Sequence, residues 1–331
     1  EYWIPVFGAP LADITPAESY MGKQAWYNNV IAVCPTDPNL VLAAGVSMMR
    51  SENGGATWTK IEDPHVHGDF HALQWHPNGL WVWAGHDGGW CWSNDQGREG
   101  TWSSDSNRLP ITQFTGFDIT GFGWFGAGIC GGTQDNGVFA TANGGTDWFQ
   151  IAGGDGGDCI YTGLGASDIL FACGWIDGAR AFDRYRSVDG GASFTPFITG
   201  LDESPAWYPS MRKDGDGRIF THDHQWVYGL SPQEDRWIKL HNGPFAVPIT
   251  EITVTPVPIN FVVWVCMSDY LGAWGVAVYD GDGFYDRSGG LPPGIGVRKV
   301  VPHPYDPHRA YALLDGLNTP GHKIYMTTDL G

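Results

Sequence analysis

A turn motif that recurs along the whole chain constrains its fold more than any other feature of the sequence. Successive copies start 42 to 49 residues apart, and the first of them reads SENGGATW. A period in the forties, rich in glycine and aromatic residues, is typical of an array of small β units. The clear copies begin at Ser51, Ser93, Thr141, Ser187 and Thr327, and two weaker copies begin at Ser231 and Val278.

The chemistry of the motif predicts a structural role. The Ser or Thr hydroxyl and the Asp or Asn side chain can accept backbone N–H groups inside the turn. Glycine supplies the positive φ that such a turn needs, and the aromatic ring that follows returns to the core. We therefore expect each copy to join two strands, and we do not expect the motif itself to be catalytic.

The residues between copies predict four short antiparallel strands per repeat, with the motif between the third and the fourth. In the first repeat the strands are NNVIAVCP, LVLAAGV, SMMRS and TWTKIED. Seven such repeats predict an all-β, seven-bladed β-propeller of four-stranded antiparallel blades, with residues 1–331 forming one domain. The chain ends inside the seventh turn, so we expect residues 2–7 to supply the missing strand and close the ring. Both ends in one loop are also compatible with a piece of a longer protein.

Charge and hydropathy exclude two classes of partner. The net charge of −18 argues against nucleic acid, whose phosphates require clustered Lys and Arg. The sequence contains no run of about 18 apolar residues, so no membrane span is predicted. An acidic chain of this kind suits an extracellular, secreted or cell-surface protein. The six cysteines show no metal-binding spacing and are expected to be buried thiols, with a Cys159–Cys173 disulfide as the alternative.

The repeats resemble the Asp-box (BNR) repeat β-propellers, and further motifs resemble a sortilin-like or glycosidase-like subgroup. The stretches that carry the resemblance are SENGGATW, TANGGTDW and SVDGGASF, together with VHGDFHALQWHP, GHDGGWCWS, GGTQDNGVF and GGDGGD. The superfamily includes sialidases, xyloglucanase-type glycoside hydrolases and sortilin-like receptor domains, so the resemblance implies the fold and leaves the function open. Sialidase activity is not expected, because the family's Arg-Ile-Pro motif is absent. The xyloglucanase-type mechanism takes one catalytic Asp from each of two propellers, and this sequence holds only one.

Polar motifs that the turns do not explain are predicted to gather at one face of the propeller. Carboxylates converging there could perform glycosidic acid–base chemistry, with one carboxyl held protonated and another ionised. The catalytic candidates are Asp69, Asp135 and Asp155, each in a glycine-flanked turn. The alternative for each is a hydrogen bond to its own backbone turn.

A second set of residues is predicted to bind the substrate. Exposed tryptophans beside carboxylates suit stacking on sugar rings, and polar neighbours would bond to hydroxyls. His67, Asp69 and His71 fall at alternate positions, which would place them on one side of a strand. The predicted substrate-binding residues are His67, His71, Asp87, Gln134, Asn136, His222, His224, Trp207, Trp226 and Trp274.

No cofactor and no metal are predicted, although the four histidines of that set beside aspartates leave a divalent cation as the alternative. The sequence therefore predicts a glycan-directed secreted propeller, either a glycoside hydrolase or a lyase. The alternative is a non-catalytic interaction or structural module, and the sequence does not decide whether the chain is an enzyme. The partner is accordingly a polysaccharide or glycoconjugate, or else a protein.

Overall fold

The computed structural model consists of β-strands and turns throughout the residues that it describes. These are residues 20–22, 24, 27–104, 112–119, 128–162, 170–176, 183–202, 208–241, 243–255, 262–269, 272–315 and 324–330, with the backbone alone at 170–176. Within these ranges the strands form six four-stranded sheets and one three-stranded sheet, all antiparallel between neighbours. No helix long and apolar enough to cross a membrane occurs in these ranges. The chain divides into two compact units, Glu1–Thr112 and Gln113–Gly331.

The first unit holds two sheets. Sheet 1 consists of β1 (Val30–Cys34), β2 (Asp37–Ala44), β3 (Met48–Ser51) and β4 (Thr59–Ile61). Sheet 2 consists of β5 (Phe70–Trp75), β6 (Val82–His86), β7 (Gly89–Ser93) and β8 (Trp102–Ser104). In each sheet the strands pair in chain order, as predicted from the repeat.

The second unit holds five sheets. Sheet 3 consists of β9 (Phe114–Ile119), β10 (Ile129–Thr133), β11 (Gly137–Thr141) and β12 (Phe149–Ala152), and sheet 4 of β13 (Gly154–Tyr161), β14 (Leu170–Ile176), β15 (Asp183–Ser187) and β16 (Thr195–Pro196). Sheet 5 consists of β17 (Met211–Lys213), β18 (Ile219–His222), β19 (Val227–Ser231) and β20 (Arg236–Lys239). Sheet 6 consists of β21 (Ile249–Val254), β22 (Val263–Ser268), β23 (Trp274–Tyr279) and β24 (Phe284–Asp286), and sheet 7 of β25 (Val297–Pro302), β26 (Ala310–Leu314) and β27 (Ile324–Thr327).

Apolar side chains between successive sheets form the cores of both units. In the first unit Leu42 and Met48 of sheet 1 share a buried cluster with Phe70 and Trp102 of sheet 2. Burial of one such side chain stabilises the fold by about 1.5–3 kcal/mol. The first strands of successive sheets also contact one another, β1 with β5 in the first unit and β9, β13, β17, β21 and β25 in order in the second. Residues on first strands of neighbouring sheets therefore lie side by side.

The recurring turn has the hydrogen bonds that its sequence predicts. In the first copy the Ser51 hydroxyl accepts the Gly55 N–H at 2.9 Å, and Asn53 accepts the N–H of Thr57 at 2.8 Å. The Trp58 indole then donates to the Gly55 carbonyl at 3.0 Å. The glycine has a φ of 90°, and its counterparts Gly145 and Gly191 have 91° and 93°. The turn is a repeated structural joint between the third and fourth strands, as expected.

Two predictions fall on residues that the structure does not describe. Residues 2–7, expected to complete sheet 7, lie outside the described ranges, and within those ranges sheet 7 has three strands. Cys159 is buried and lies on β13, which pairs with the β14 strand that holds Cys173, but the Cys173 side chain is not described. Cys34, Cys91, Cys130 and Cys266 are buried free thiols, as expected.

Candidate functional site

Two aspartates of the first unit face each other where sheet 2 begins. Asp69 immediately precedes β5, and Asp87 follows β6 in the turn to β7. The Asp87 N–H donates to the Asp69 carbonyl at 3.2 Å, and one carboxylate oxygen of each residue lies within 4.8 Å of the other. We call Asp69 and Asp87 the carboxylate pair. Asp69 was predicted as catalytic and Asp87 as substrate-binding, and the fold brings them together.

The backbone frame beneath the pair is shared by other sheets, whereas the two carboxylates are not. The same N–H to carbonyl bond joins Ser268 to Pro248 in sheet 6 and Asp315 to Gly296 in sheet 7. A bulge on the first strand accompanies it in sheets 2, 6 and 7. Of these three frames, sheet 2 alone carries an acid at both positions. The repeat thus provides the backbone geometry, and sheet 2 adds the two carboxylates.

The backbone at Asp69 has an uncommon conformation. Its φ is 58°, in the left-handed region that Asn, Asp and Gly adopt more readily than other residues. The equivalent Pro248 and Gly296 are not among the positive-φ residues that the structure describes. The frame therefore does not require a positive φ, and an aspartate suits this position of sheet 2.

The expected alternation of His67, Asp69 and His71 along one strand is wrong. Strand β5 begins at Phe70, so His67 and Asp69 lie in the preceding link, where the positive φ of Asp69 breaks the period of two. His71 occupies the bulge, where the register passes from Phe70 opposite His86 to Ala72 opposite Gly85. A bulge redirects the side chain that it holds, and here that side chain meets Asp87.

Polar side chains surround the pair. The Asn28 amide donates to Asp69, and the Gln24 amide donates to the same oxygen at 3.3 Å. The phenol of Tyr27 donates to Asp87 at 3.4 Å, and His71 Nε2 lies 2.7 Å from the other Asp87 oxygen. The ring of Tyr27 also packs edge-on against His71, with centroids 4.8 Å apart. Asp87 is therefore held by the phenol of Tyr27 and the imidazole of His71, whereas the hydrogen bonds to Asp69 come from two side-chain amides.

The surroundings raise the pKa of Asp69 above its usual value. Burial is the main cause, and the negative charge of Asp87 is the next. The hydrogen bond from Asn28 and the nearby His67 and His71 oppose the rise without cancelling it. Asp69 therefore holds a proton more readily than an ordinary aspartate does.

Two imidazoles that are close in the chain to the pair, those of His67 and His86, stack on each other. The rings of His67 and His86 are 5.5 Å apart and within 26° of parallel. Burial and the neighbouring His67 lower the pKa of His86 to about 4, so its ring is neutral at pH 7. A Cβ added to Gly88 would lie 2.6 Å from the His67 ring, so glycine is required there. His86 and Gly88 flank Asp87 in the chain, so their packing against His67 constrains the backbone on both sides of Asp87.

The predicted catalytic residues of the second unit have a turn role. Asp135 has a φ of 63°, and its N–H donates to the Asp155 carboxylate at 2.8 Å. The Asn136 amide donates to the Gln134 carbonyl at 3.2 Å within the same exposed turn. The Asp155 carboxylate thus caps the turn that holds Asp135, twenty residues away, which is a structural contact but not the expected bond of Asp155 to its own turn.

His222 and His224 have structural contacts. His222 is buried, its Nε2 accepts the Ser210 N–H at 3.1 Å, and its Nδ1 lies 2.9 Å from the Asp223 carbonyl. Burial lowers its pKa to about 4. The carbonyl of His224 accepts the Ile249 N–H at 2.7 Å. His222 has both ring nitrogens engaged, which leaves it without a lone pair for substrate or metal.

Of the predicted tryptophans, the two that the structure describes pack in different clusters. The Trp226 ring lies 3.6 Å from the Lys239 ammonium and stacks on His241 at 4.9 Å, beside a cavity of about 460 Å³. Trp274, on β23, packs against the core between sheets 6 and 7. Trp207 lies outside the described residues.

A row of alternating charges in the second unit was missed by sequence reasoning. Arg212 on β17 bridges Asp158 on β13 and Glu251 on β21, and Lys299 on β25 lies 3.6 Å from Glu251. Arg212 and Lys299 outweigh burial and lower the pKa of Glu251, whereas burial dominates at Asp158 and raises its pKa. Charges of alternating sign on first strands of successive repeats are the signal that could have revealed this charged row.

Comparison with known proteins adds similarities of fold. No protein-family model matches the chain, and no curated protein does. Among solved β-propellers, the chain is similar to the GH74 xyloglucanase from Xanthomonas campestris, with a TM-score of 0.46 and 12% identity over 91% of this chain and 51% of the enzyme. It is also similar to YCF48 from Cyanidioschyzon merolae, with a TM-score of 0.41 and 14% identity over 91% of this chain and 95% of that one. BBS1N in complex with ARL6DN gives a TM-score of 0.44 and 13% identity over 87% and 88%. The chain spans about half the length of the xyloglucanase.

Proposed function

We propose that this chain is a glycan-directed protein that acts through the Asp69–Asp87 pair. The observation that carries the proposal is the contrast between two carboxyls whose oxygens lie within 4.8 Å. One is partly buried with a raised pKa, and the other is held by His71 and Tyr27. Glycoside cleavage needs this division between a proton donor and an ionised carboxylate.

The roles follow from the environments. Asp69 protonates the glycosidic oxygen as general acid, and Asp87 faces the anomeric carbon as the ionised group. A short separation suits the retaining mechanism, in which carboxyl groups about 5–5.5 Å apart leave no room for an intervening water. His71 and Tyr27 keep Asp87 oriented, and the exposed Tyr27 ring offers a surface for a sugar.

A glycan array followed by product analysis tests this function. The proteins are the wild type, Asp69→Asn, Asp87→Asn and, as a charge-matched control, Asp282→Asn in the exposed turn after β23. We expect the wild type and the control to bind and cleave one class of glycan, and both site variants to lose cleavage by at least a hundredfold. Binding without products would favour the non-catalytic interaction module, and no glycan binding would refute the proposal.

We also propose that the seven sheets form one ring over residues 1–331, closed by residues 2–7 as the fourth strand of sheet 7. Two features of sheets 6 and 7 support an additional strand. A cleft of about 300 Å³ lies between sheets 6 and 7, where Trp264 Nε1 and Arg287 Nε are buried without a partner among the described residues. On β27 the side chains of Ile324 and Met326 are 66% and 58% exposed. Deletion of residues 1–8 should lower thermal stability, and unchanged stability would contradict the closure.

We further propose a secreted or cell-surface location, in line with the acidic composition. The proposed chemistry needs no cofactor. A divalent cation held by His67 and His71 is the alternative, and dialysis against a chelator distinguishes the two because only a metal-dependent site would lose binding.

A further inference from the structure

The polar groups around Asp69 include an acceptor that the protein leaves unsatisfied. Asn28 is fully buried, and its amide nitrogen donates to Asp69. Its other amide atom, Oδ1, is buried without a hydrogen-bond partner among the residues that the structure describes. An unmade hydrogen bond of a buried polar atom destabilises the folded protein. The position beside Asp69 therefore calls for a hydrogen-bond donor.

The charge of the pair points to a donor that is positively charged. Asp69 and Asp87 place two carboxylates within 4.8 Å, and their repulsion contributes to the raised pKa of Asp69. Two imidazoles and one amide oppose that rise, and no lysine or arginine is among the described groups that do so. A cation bound at Asp69 would relieve the repulsion and supply the missing donor together.

An aromatic surface lies beside the pair. Tyr27 is 48% exposed, and its ring is held edge-on against His71. The faces of tyrosine rings attract ammonium groups electrostatically. The net charge of −18 adds a field that repels anionic ligands and attracts cationic ones.

We infer that the site around Asp69, Asp87 and Asn28 recognises a protonated primary amine. In terms of the proposed function, on which this inference rests, the glycan is one that carries free amino groups, such as an oligomer of an amino sugar without N-acetyl groups. An ammonium group donates three hydrogen bonds, which matches the Asp87 carboxylate, the Asp69 oxygen that does not carry the catalytic proton, and the Asn28 carbonyl. A neutral N-acetyl group would bring neither the charge nor the three donors.

Titration calorimetry with four probes tests the inference. These are oligomers of equal length of glucosamine, N-acetylglucosamine and galacturonate, and the polyamine spermidine as an amine without a sugar. We expect glucosamine oligomers to bind at least tenfold more tightly than the N-acetylated ones and galacturonate to bind weakest. Asp69→Asn should lower glucosamine affinity at least tenfold and keep the fold, because Asn has the same shape and also tolerates a positive φ.

The control is Asp282→Asn, which changes the net charge by the same amount on a distant exposed turn. Affinity in this control should stay within twofold of the wild type. Equal losses in Asp282→Asn and Asp69→Asn would show a general charge effect and overturn the inference. N-acetylated oligomers that bind as tightly as glucosamine oligomers, through Asp69, would overturn it while the proposed function stands. Spermidine binding through Asp69 without binding of any of the three oligosaccharides would support the amine site and overturn the assignment of an amino-sugar glycan. The absence of binding by all four probes would overturn the inference, whereas the proposed function is refuted only by the absence of binding on the glycan array.

Discussion

Replacement of Arg212 by methionine tests whether the charged row stabilises the second unit. Arg212 bridges Asp158 and Glu251, and its side chain is 22% exposed while theirs are 13% and 19% exposed. Methionine keeps most of the apolar length of the side chain and removes the charge. The change leaves two carboxylates in a poorly solvated place without the guanidinium that joined them.

The size of the effect follows from the burial. Removal of one partner from a buried ion pair costs about 3–5 kcal/mol. We expect about 3 kcal/mol, the lower limit, because about a fifth of the Arg212 side chain remains in contact with water. Urea denaturation followed by tryptophan fluorescence measures this difference in the free energy of unfolding.

Its dependence on pH separates an electrostatic cause from a packing cause. In the wild type the pKa of Glu251 is lowered. The ionised Glu251 therefore stabilises the folded state above about pH 4.5, and this stabilisation is lost as the pH falls through the lowered pKa. In Arg212→Met the two carboxyls lose the guanidinium, and only Glu251 keeps a cation, Lys299 at 3.6 Å, so they destabilise the fold when ionised and cease to do so when protonated. The difference in the free energy of unfolding between wild type and variant should therefore decrease as the pH is lowered from 7 to 4.

The matched control is Arg236→Met. Arg236 pairs with Glu234 at 3.2 Å, and the two side chains are 49% and 56% exposed. Exposed pairs of this kind contribute about 0–1 kcal/mol. A loss at Arg212 no larger than the loss at Arg236, or a loss that does not change with pH, would refute the reasoning.

Three further predictions concern the turns and the site. Ser51→Ala should lower the free energy of unfolding by about 1 kcal/mol in urea denaturation, because its hydroxyl accepts an N–H of the turn; an unchanged value would contradict the structural role. Asp69→Asn should raise the thermal midpoint at pH 7, because a raised folded-state pKa destabilises the fold above the unfolded value of 3.8, and the gain should vanish below that pH; a loss of stability at pH 7 would contradict it. Gly88→Ala should cost about 1–3 kcal/mol, because the new Cβ meets the His67 ring, whereas Gly243→Ala, in open space, should change stability by less than about 0.5 kcal/mol; equal effects would contradict the packing.

The strands and turns could be predicted from the sequence because their chemistry is local. A hydroxyl, an Asx side chain and a glycine within five residues specify the turn at Ser51, and the same set recurs at Thr141 and Ser187. The period of two also predicted strands such as β6, whose side chains alternate between buried and half-buried. Neither feature requires knowledge of distant residues.

The candidate site was predicted only in part because its arrangement depends on contacts between distant segments. Asp69 and Asp87 were both singled out, but their pairing depends on the bulge at His71 and on a positive φ that no periodicity reveals. Asp155 resembled Asp69 in sequence and proved to cap a turn. The charged row escaped notice because each member is ordinary within its own repeat, and only adjacency of first strands makes Arg212 a bridge.

A crystal structure with the tightest-binding oligosaccharide from the array tests the central claim most directly, namely that the Asp69–Asp87 pair engages a glycan. We predict electron density for a sugar beside sheet 2, with one sugar oxygen or nitrogen within about 3.2 Å of a carboxylate oxygen of Asp69 and another within that distance of Asp87. Density for the sugar at any other place, with both carboxylates unchanged, would contradict the account.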